Sequence, residues 1–156
     1  MIVSYSGFLR VDIDEKKLEI SNIQCSLPVV GEGNTRICYL LPDNKILKVA
    51  KDYDGTLANL WEINLYNKIK NEDCIIKVPK IYEYEDTMSL YYICDKINMN
   101  YEALQTATEI IPILDQMDGN VGYDSKGQLT VTDAENIHYS WFLRSENPYK
   151  PKQGMF

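Results

Sequence analysis

At 156 residues and 45% apolar content, the chain is long enough for one domain with a real core. A formal net charge of -7 argues against a nucleic-acid partner and against docking on anionic lipid, since both need a basic face. No apolar run approaches bilayer length, and Met1 to Arg10 lacks the charged-then-apolar order of a cleaved leader, so a cytoplasmic protein is expected.

The elements then follow in chain order. Phe8 to Ile13 alternates, Asp14-Glu15-Lys16-Lys17 makes a polar turn, and Leu18-Glu19-Ile20 alternates again, which predicts a hairpin. Pro28-Val29-Val30 leads into a glycine turn, and Arg36 to Leu41 reads as the next strand. Pro42-Asp43-Asn44 is a strong turn signal. Lys45 to Ala50 is a further strand, with Ile46, Lys48 and Ala50 on one face and Leu47 and Val49 on the other. Asp54-Gly55-Thr56 offers a helix start. Leu57, Leu60, Trp61, Leu65 and Ile69 follow at helical spacing and predict an apolar stripe facing a sheet. Lys80 to Glu85 and Leu90 to Cys94 read as strands around an Asp86-Thr87 turn. Asn100 caps a second helix carrying Tyr101, Leu104, Thr108 and Ile111, and Pro112 ends it. Val121 to Thr132 reads as a tight hairpin, and from Ser145 the chain turns polar and proline-containing, as a tail does.

Cysteine chemistry is not indicated. Cys25, Cys38, Cys74 and Cys94 show no C-x-x-C spacing, and one histidine, His138, supports neither a zinc site nor a nucleophilic triad. The thiols are read as reduced and mostly buried, and His138 as a surface or tail residue.

Three pieces could carry chemistry. Gly31-Glu32-Gly33 between strands lets backbone N–H groups approach phosphates without an intervening side chain, although the same pattern occurs in ordinary hairpins. Lys48 lies mid-strand between apolar neighbours and needs a partner or water. Glu62, 14 residues on, lies in the predicted helix and can face the sheet, so that a Lys–Glu pair would hold the ammonium. In Ile113-Leu114-Asp115-Gln116-Met117-Asp118-Gly119-Asn120, an Asp is followed five residues later by an Asn. Asp133 comes 13 residues after Asn120, across the hairpin, and two oxygen donors converging there suit Mg2+.

In this order the pieces resemble the nucleotide-handling set of the protein kinase-like superfamily, from about Ser26 to Asn136. The resemblance implies an α+β fold: a kinase-like N-lobe of antiparallel sheet and one main helix, with a truncated C-lobe. It implies one domain over 1–144, the N-lobe about 1–95 and the reduced C-lobe about 96–144, followed by a tail over 145–156. It implies ATP and Mg2+ as cofactors. Gly31 and Gly33 match the phosphate-covering loop, Lys48 the phosphate-contacting lysine and Glu62 its helix partner. Asp95 falls at the hinge. Asp115 matches the catalytic aspartate, and Asn120 and Asp133 the metal ligands.

The departures are equally specific. The loop has Arg36 where the third glycine would stand. Ile113-Leu114 replaces the His-Arg before the catalytic aspartate, and D-F-G reads Asp133-Ala134-Glu135. Only 19 residues separate Asp95 from Asp115, and 23 follow Asp133, too few for the helical platform that binds peptide substrates. In this the chain resembles the small kinase-like proteins carried by bacteriophages, which would place it in the host cytoplasm. One expectation is therefore a phosphotransferase using ATP and Mg2+. The alternative is an inactive kinase-derived binding protein acting on a protein partner, with Tyr139, Trp141 and Phe142 as exposed aromatics. A chance resemblance in an unrelated α+β domain is the third reading.

Overall fold

The computed structural model describes residues 2–5, 9–12, 17–20, 27–116 and 121–148, with side chains for 27–114 and 121–148. Contacts divide the chain into two compact units, Met1–Ile63 with Ile81–Lys96, and Asn64–Lys80 with Ile97–Phe156.

The first unit is built on a five-stranded antiparallel sheet of β4 (Val29–Glu32), β5 (Arg36–Leu40), β6 (Lys45–Ala50), β7 (Ile81–Tyr84) and β8 (Tyr91–Asp95). Its spatial order is β4-β5-β6-β8-β7, and helix α1 (Tyr53–Ile69) follows β6 in sequence. The class is the expected one, α+β, with an antiparallel sheet and one main helix. A separate three-stranded sheet pairs β1 (Ile2–Tyr5), β2 (Leu9–Asp12) and β3 (Lys17–Ile20). The β2–β3 hairpin was expected from its alternation; β1 was not.

Register sorts the large sheet into two faces. Ile37 pairs with Val49, Tyr39 with Leu47, Leu47 with Ile93 and Val49 with Tyr91, and these residues form one apolar cluster with Leu90. The opposite face carries the row Cys38, Lys48 and Tyr92, and beside it Ile46 and Cys94. Ile63 of α1 packs there with Tyr92 and Cys94.

Helix α1 sits differently from the expected stripe. Leu57, Leu60 and Trp61 are 46%, 44% and 40% exposed. In the first unit its buried positions are Gly55, Thr56, Ala58, Asn59, Glu62 and Ile63. The inner face is thus part polar and the outer face apolar. Such a face can be buried because Arg36, Lys48 and Tyr92 side chains and the Ser89 and Leu90 carbonyls supply partners for Asn59 and Glu62. Gly55 belongs to this seat, because a Cβ there would lie 2.2 Å from the Thr35 carbonyl oxygen.

The second unit holds α2 (Tyr101–Ile110), a 3-10 helix over Pro112–Gln116, and the hairpin of β9 (Val121–Tyr123) and β10 (Leu129–Val131). Asn100 caps α2 as expected, accepting from the Ala103 N–H at 3.0 Å. Ala103, Ala107, Ile110, Val121, Val131 and Phe142 lie in its core. Phe142 is fully buried, and Tyr139 and Trp141 pack partly buried against the same core, so these aromatics are core rather than exposed surface. His138 is exposed, as expected. Asn147, within the segment read as a tail, is buried and donates to the Ile110 and Trp141 carbonyls. Of the cysteines, Cys94 is buried and Cys38 and Cys74 are only partly so; Cys25 lies outside the described residues. No helix among the described residues is long and apolar enough to cross a membrane.

The two faces of α1 make opposite predictions for urea denaturation. Ile63→Ala should cost about 2–5 kcal/mol, the range for a truncated core isoleucine. Leu57→Ser should cost under about 0.5 kcal/mol, as surface changes do. A reversed ranking would show that the apolar stripe is the packed one.

Candidate functional site

In the first unit the site is assembled from β4, β5, β6, β8 and α1. Gly31 pairs with Cys38, Cys38 with Lys48, and Lys48 with Tyr92. Cross-strand partners share a face, so these four positions form one row across the sheet. Gly33 donates its N–H to the Arg36 carbonyl at 2.9 Å, closing the turn that joins β4 to β5. Lys51 steadies that turn, with Nζ 3.0 Å from Glu32 Oε2 and 3.2 Å from the Gly33 carbonyl.

Neither turn glycine is required by the chain's own packing. Neither has a positive φ, and a Cβ on Gly33 would meet nothing within 4 Å. On Gly31 it would lie 3.9 Å from the Cys38 Cβ, an ordinary contact.

Lys48 and Glu62 are 5% and 6% exposed, and Lys48 Nζ lies 3.5 Å from Glu62 Oε1. The ammonium also lies 5.6 Å from the centre of the Tyr92 ring, within cation–π range. Glu62 has two further partners that the sequence did not disclose. Tyr92 donates its hydroxyl to Oε1 at 2.8 Å, and Arg36 Nη1 pairs with the same oxygen. Arg36 Nη1 also donates to Asn59 Oδ1 at 3.3 Å, and Asn59 Nδ2 donates to the Ser89 and Leu90 carbonyls at 2.9 and 3.3 Å. Glu62 Oε2 is buried and receives no hydrogen bond from the described residues. One signal could have found Arg36: it stands where the resemblance asks for a third glycine, at the start of a strand whose alternation points it with Cys38.

Asp95, the expected hinge residue, ends β8 and accepts the Tyr82 hydroxyl at 2.6 Å. Lys45 lies opposite Asp95 in register, with Nζ 4.0 Å from the Tyr82 ring centre.

Asp115 and Asp133 belong to the second unit. Asp115 lies in the 3-10 helix Pro112–Gln116, and its side chain is outside the described residues, as is all of Asn120. Val121, next in sequence to Asn120, pairs with Val131, two residues before Asp133. Asp133 has φ 55°, the left-handed region that side-chain-bearing residues adopt at a cost. Ala134, next to it, is buried in the core. Gly122 is needed sterically, since a Cβ there would lie 2.1 Å from the Asn98 carbonyl oxygen. Among the described residues no group of three or more His, Cys, Asp or Glu could by itself hold a metal ion.

Burial sets the protonation of the groups around Glu62. Tyr92 is raised well above the usual tyrosine value, first by burial and then by the Glu62 charge, so it remains a donor. Burial pushes the Cys94 thiol up to about 12 from 9.0, with Lys48 opposing.

No protein-family description and no curated protein matches this chain. Among solved structures it is similar to aminoglycoside phosphotransferase APH(2'')-Ib in its ADP-bound form. That match has 17% identity and a TM-score of 0.41, and covers 60% of this chain and 35% of the other. The chain therefore spans about a third of the length of that protein.

The raised groups give a signed pH prediction. A thiol whose folded pKa is about 12 against an ordinary 9.0 contributes stability that is complete below pH 9. That contribution is lost as pH rises toward 12, and Tyr92 acts in the same direction. Urea midpoints should be lower at pH 10.5 than at pH 8.5, and Cys94→Ala should reduce the drop. A flat profile over this range would contradict the buried placement.

Proposed function

We propose that this chain binds ATP with Mg2+ and transfers its terminal phosphoryl group to a hydroxyl acceptor. One observation carries the reading: a buried lysine–carboxylate contact lies on the same sheet row as a glycine turn that the fold does not itself require. Burying a cation and a carboxylate is expensive and rarely improves stability over apolar packing. Their retention beneath an uncrowded glycine turn makes sense if the ammonium answers phosphate charge.

In this reading Gly31 and Gly33 leave room for phosphate oxygens, and Lys48 orients the phosphates while Glu62 holds its ammonium. Asp95 ends the strand at the edge where the nucleobase binds. Asn120 and Asp133 would hold Mg2+, and the left-handed backbone of Asp133 is the kind of strain found at ligand-holding positions. When bound, Mg2+ would neutralise charge on the phosphates. Asp115 accepts the proton of the attacking hydroxyl as its oxygen bonds to the γ-phosphorus. The bond from that phosphorus to the bridging oxygen breaks, and ADP leaves.

A second reading has its own observation. The outer face of α1 presents Tyr53, Leu57, Leu60 and Trp61, each at least 40% exposed. Large apolar groups gathered on one exposed face mark interaction surfaces. On this reading the chain is a kinase-derived binding protein acting on a protein partner.

Calorimetric titration with a non-hydrolysable ATP analogue, with and without Mg2+, separates the two. The phosphotransferase reading expects Mg2+-dependent binding that is lost in Asp133→Ala and kept in Asp115→Ala, with turnover lost in both. Gly33→Val should leave folding stability nearly unchanged while weakening the analogue by about tenfold or more. No binding at millimolar nucleotide sinks the enzyme. The binding-protein reading instead expects biological action to survive Asp115→Ala and to fail when Leu57 and Trp61 are both changed to Glu.

A further inference from the structure

Arg36 is the part of this site that the nucleotide-handling set does not include. It occupies the third-glycine position of the turn, yet it is 9% exposed, with its side chain turned inward. A single nitrogen, Nη1, meets both Asn59 and Glu62. Those residues are three apart on α1 and so share one helical face. Asn59 is tied in turn to the Ser89 and Leu90 carbonyls at the approach to β8. The first residue of β5, the inner face of α1 and the start of β8 are thereby joined by buried polar contacts.

Lys48 meets the same Glu62 oxygen at 3.5 Å. A charge-assisted N–H···O bond at full strength closes to about 2.7–2.9 Å. The carboxylate is therefore not held chiefly by the lysine. A guanidinium is planar and always charged, whereas an ammonium rides on a flexible stem. The rigid cation thus holds the carboxylate, and the carboxylate draws the lysine by charge without closing on it.

We infer that Arg36 is a positioning residue: it fixes Glu62, and with it helix α1, so that Lys48 is presented to phosphate rather than collapsed onto the carboxylate. This rests on the nucleotide reading above. It goes beyond that reading by giving the turn's missing glycine a function. It also ties α1 to the sheet through contacts made within the chain.

The test uses the full chain with Arg36→Met, which keeps most of the stem, and Arg36→Lys, which keeps the charge. The probes are adenosine and a non-hydrolysable ATP analogue with Mg2+, and the first readout is the ratio of their affinities. Hydrogen exchange at the Asn59 to Ile63 amides, without nucleotide, is the second. Arg36→Met should lower the ratio by about tenfold with adenosine binding within about twofold of native. It should also speed exchange at Glu62 and Ile63. Arg36→Lys, which keeps the charge but not the rigid fork, should recover only part of the ratio. Loss of adenosine and analogue binding in equal proportion would mean a general structural role and overturn the inference. So would an unchanged ratio with unchanged exchange. If the native chain binds neither probe, the nucleotide reading falls, and with it the presentation of Lys48 to phosphate. Anchoring of α1 is then judged by exchange alone, and unchanged exchange in Arg36→Met overturns that as well.

Discussion

The Glu62 carboxylate is buried among three donors, Arg36 from β5, Lys48 from β6 and Tyr92 from β8. An unaccompanied carboxylate at that depth would cost several kcal/mol. It is tolerable because those three strands are neighbours in the sheet, and their register brings one long polar side chain from each to the same face. Sheet order, register and helix seating are therefore one constraint. A slip of one residue in β6 would turn Lys48 toward the apolar face and leave Glu62 without it.

The same constraint explains why the first part of α1 is seated with its apolar stripe outward. Leu57, Leu60 and Trp61 at helical spacing look like a core face, and in an isolated amphipathic helix they would be one. Here the face toward the sheet is set by Asn59 and Glu62, which find their hydrogen-bond and charge partners there. Small residues, Gly55 and Ala58, let the helix approach closely, so little apolar bulk is wanted inside. Further along, Leu65 and Ile69 do enter a core, that of the second unit. The stripe read from the sequence joined residues of two different environments, which spacing alone cannot separate.

Strands and turns were legible because their signals are local. Pro42-Asp43-Asn44 gives a turn in which Asn44 takes φ 62°, and Asn100 caps α2 as its residue type predicts. The Lys48–Glu62 contact was legible too, because the two residues sit on elements that could be read individually. What was hidden depends on long-range partners. Tyr92 is one of two adjacent tyrosines, and only register decides that it, rather than Tyr91, faces Lys48. Asn147 lies in a polar-looking stretch and Phe142 in an aromatic one, and only packing around α2 decides that both are buried. Arg36 was visible only as a glycine that was missing.

Glycine has two distinct uses in this chain, and the difference bears on how the turn should be understood. Gly55 and Gly122 are demanded from within, because a Cβ at either would collide with a backbone oxygen. Gly31 and Gly33 face no such collision and need no left-handed backbone. Glycine in a strand costs stability through backbone entropy, so a glycine that the fold does not require is a small continuing penalty. At Gly33 the space that a side chain would fill is open. At Arg36, two strand positions before Cys38, the turn instead carries a large side chain and folds it inward against Glu62. The turn thus keeps its outer positions bare and its inner position filled. One side of the turn is left open while the other is tied to the helix through Asn59 and Glu62.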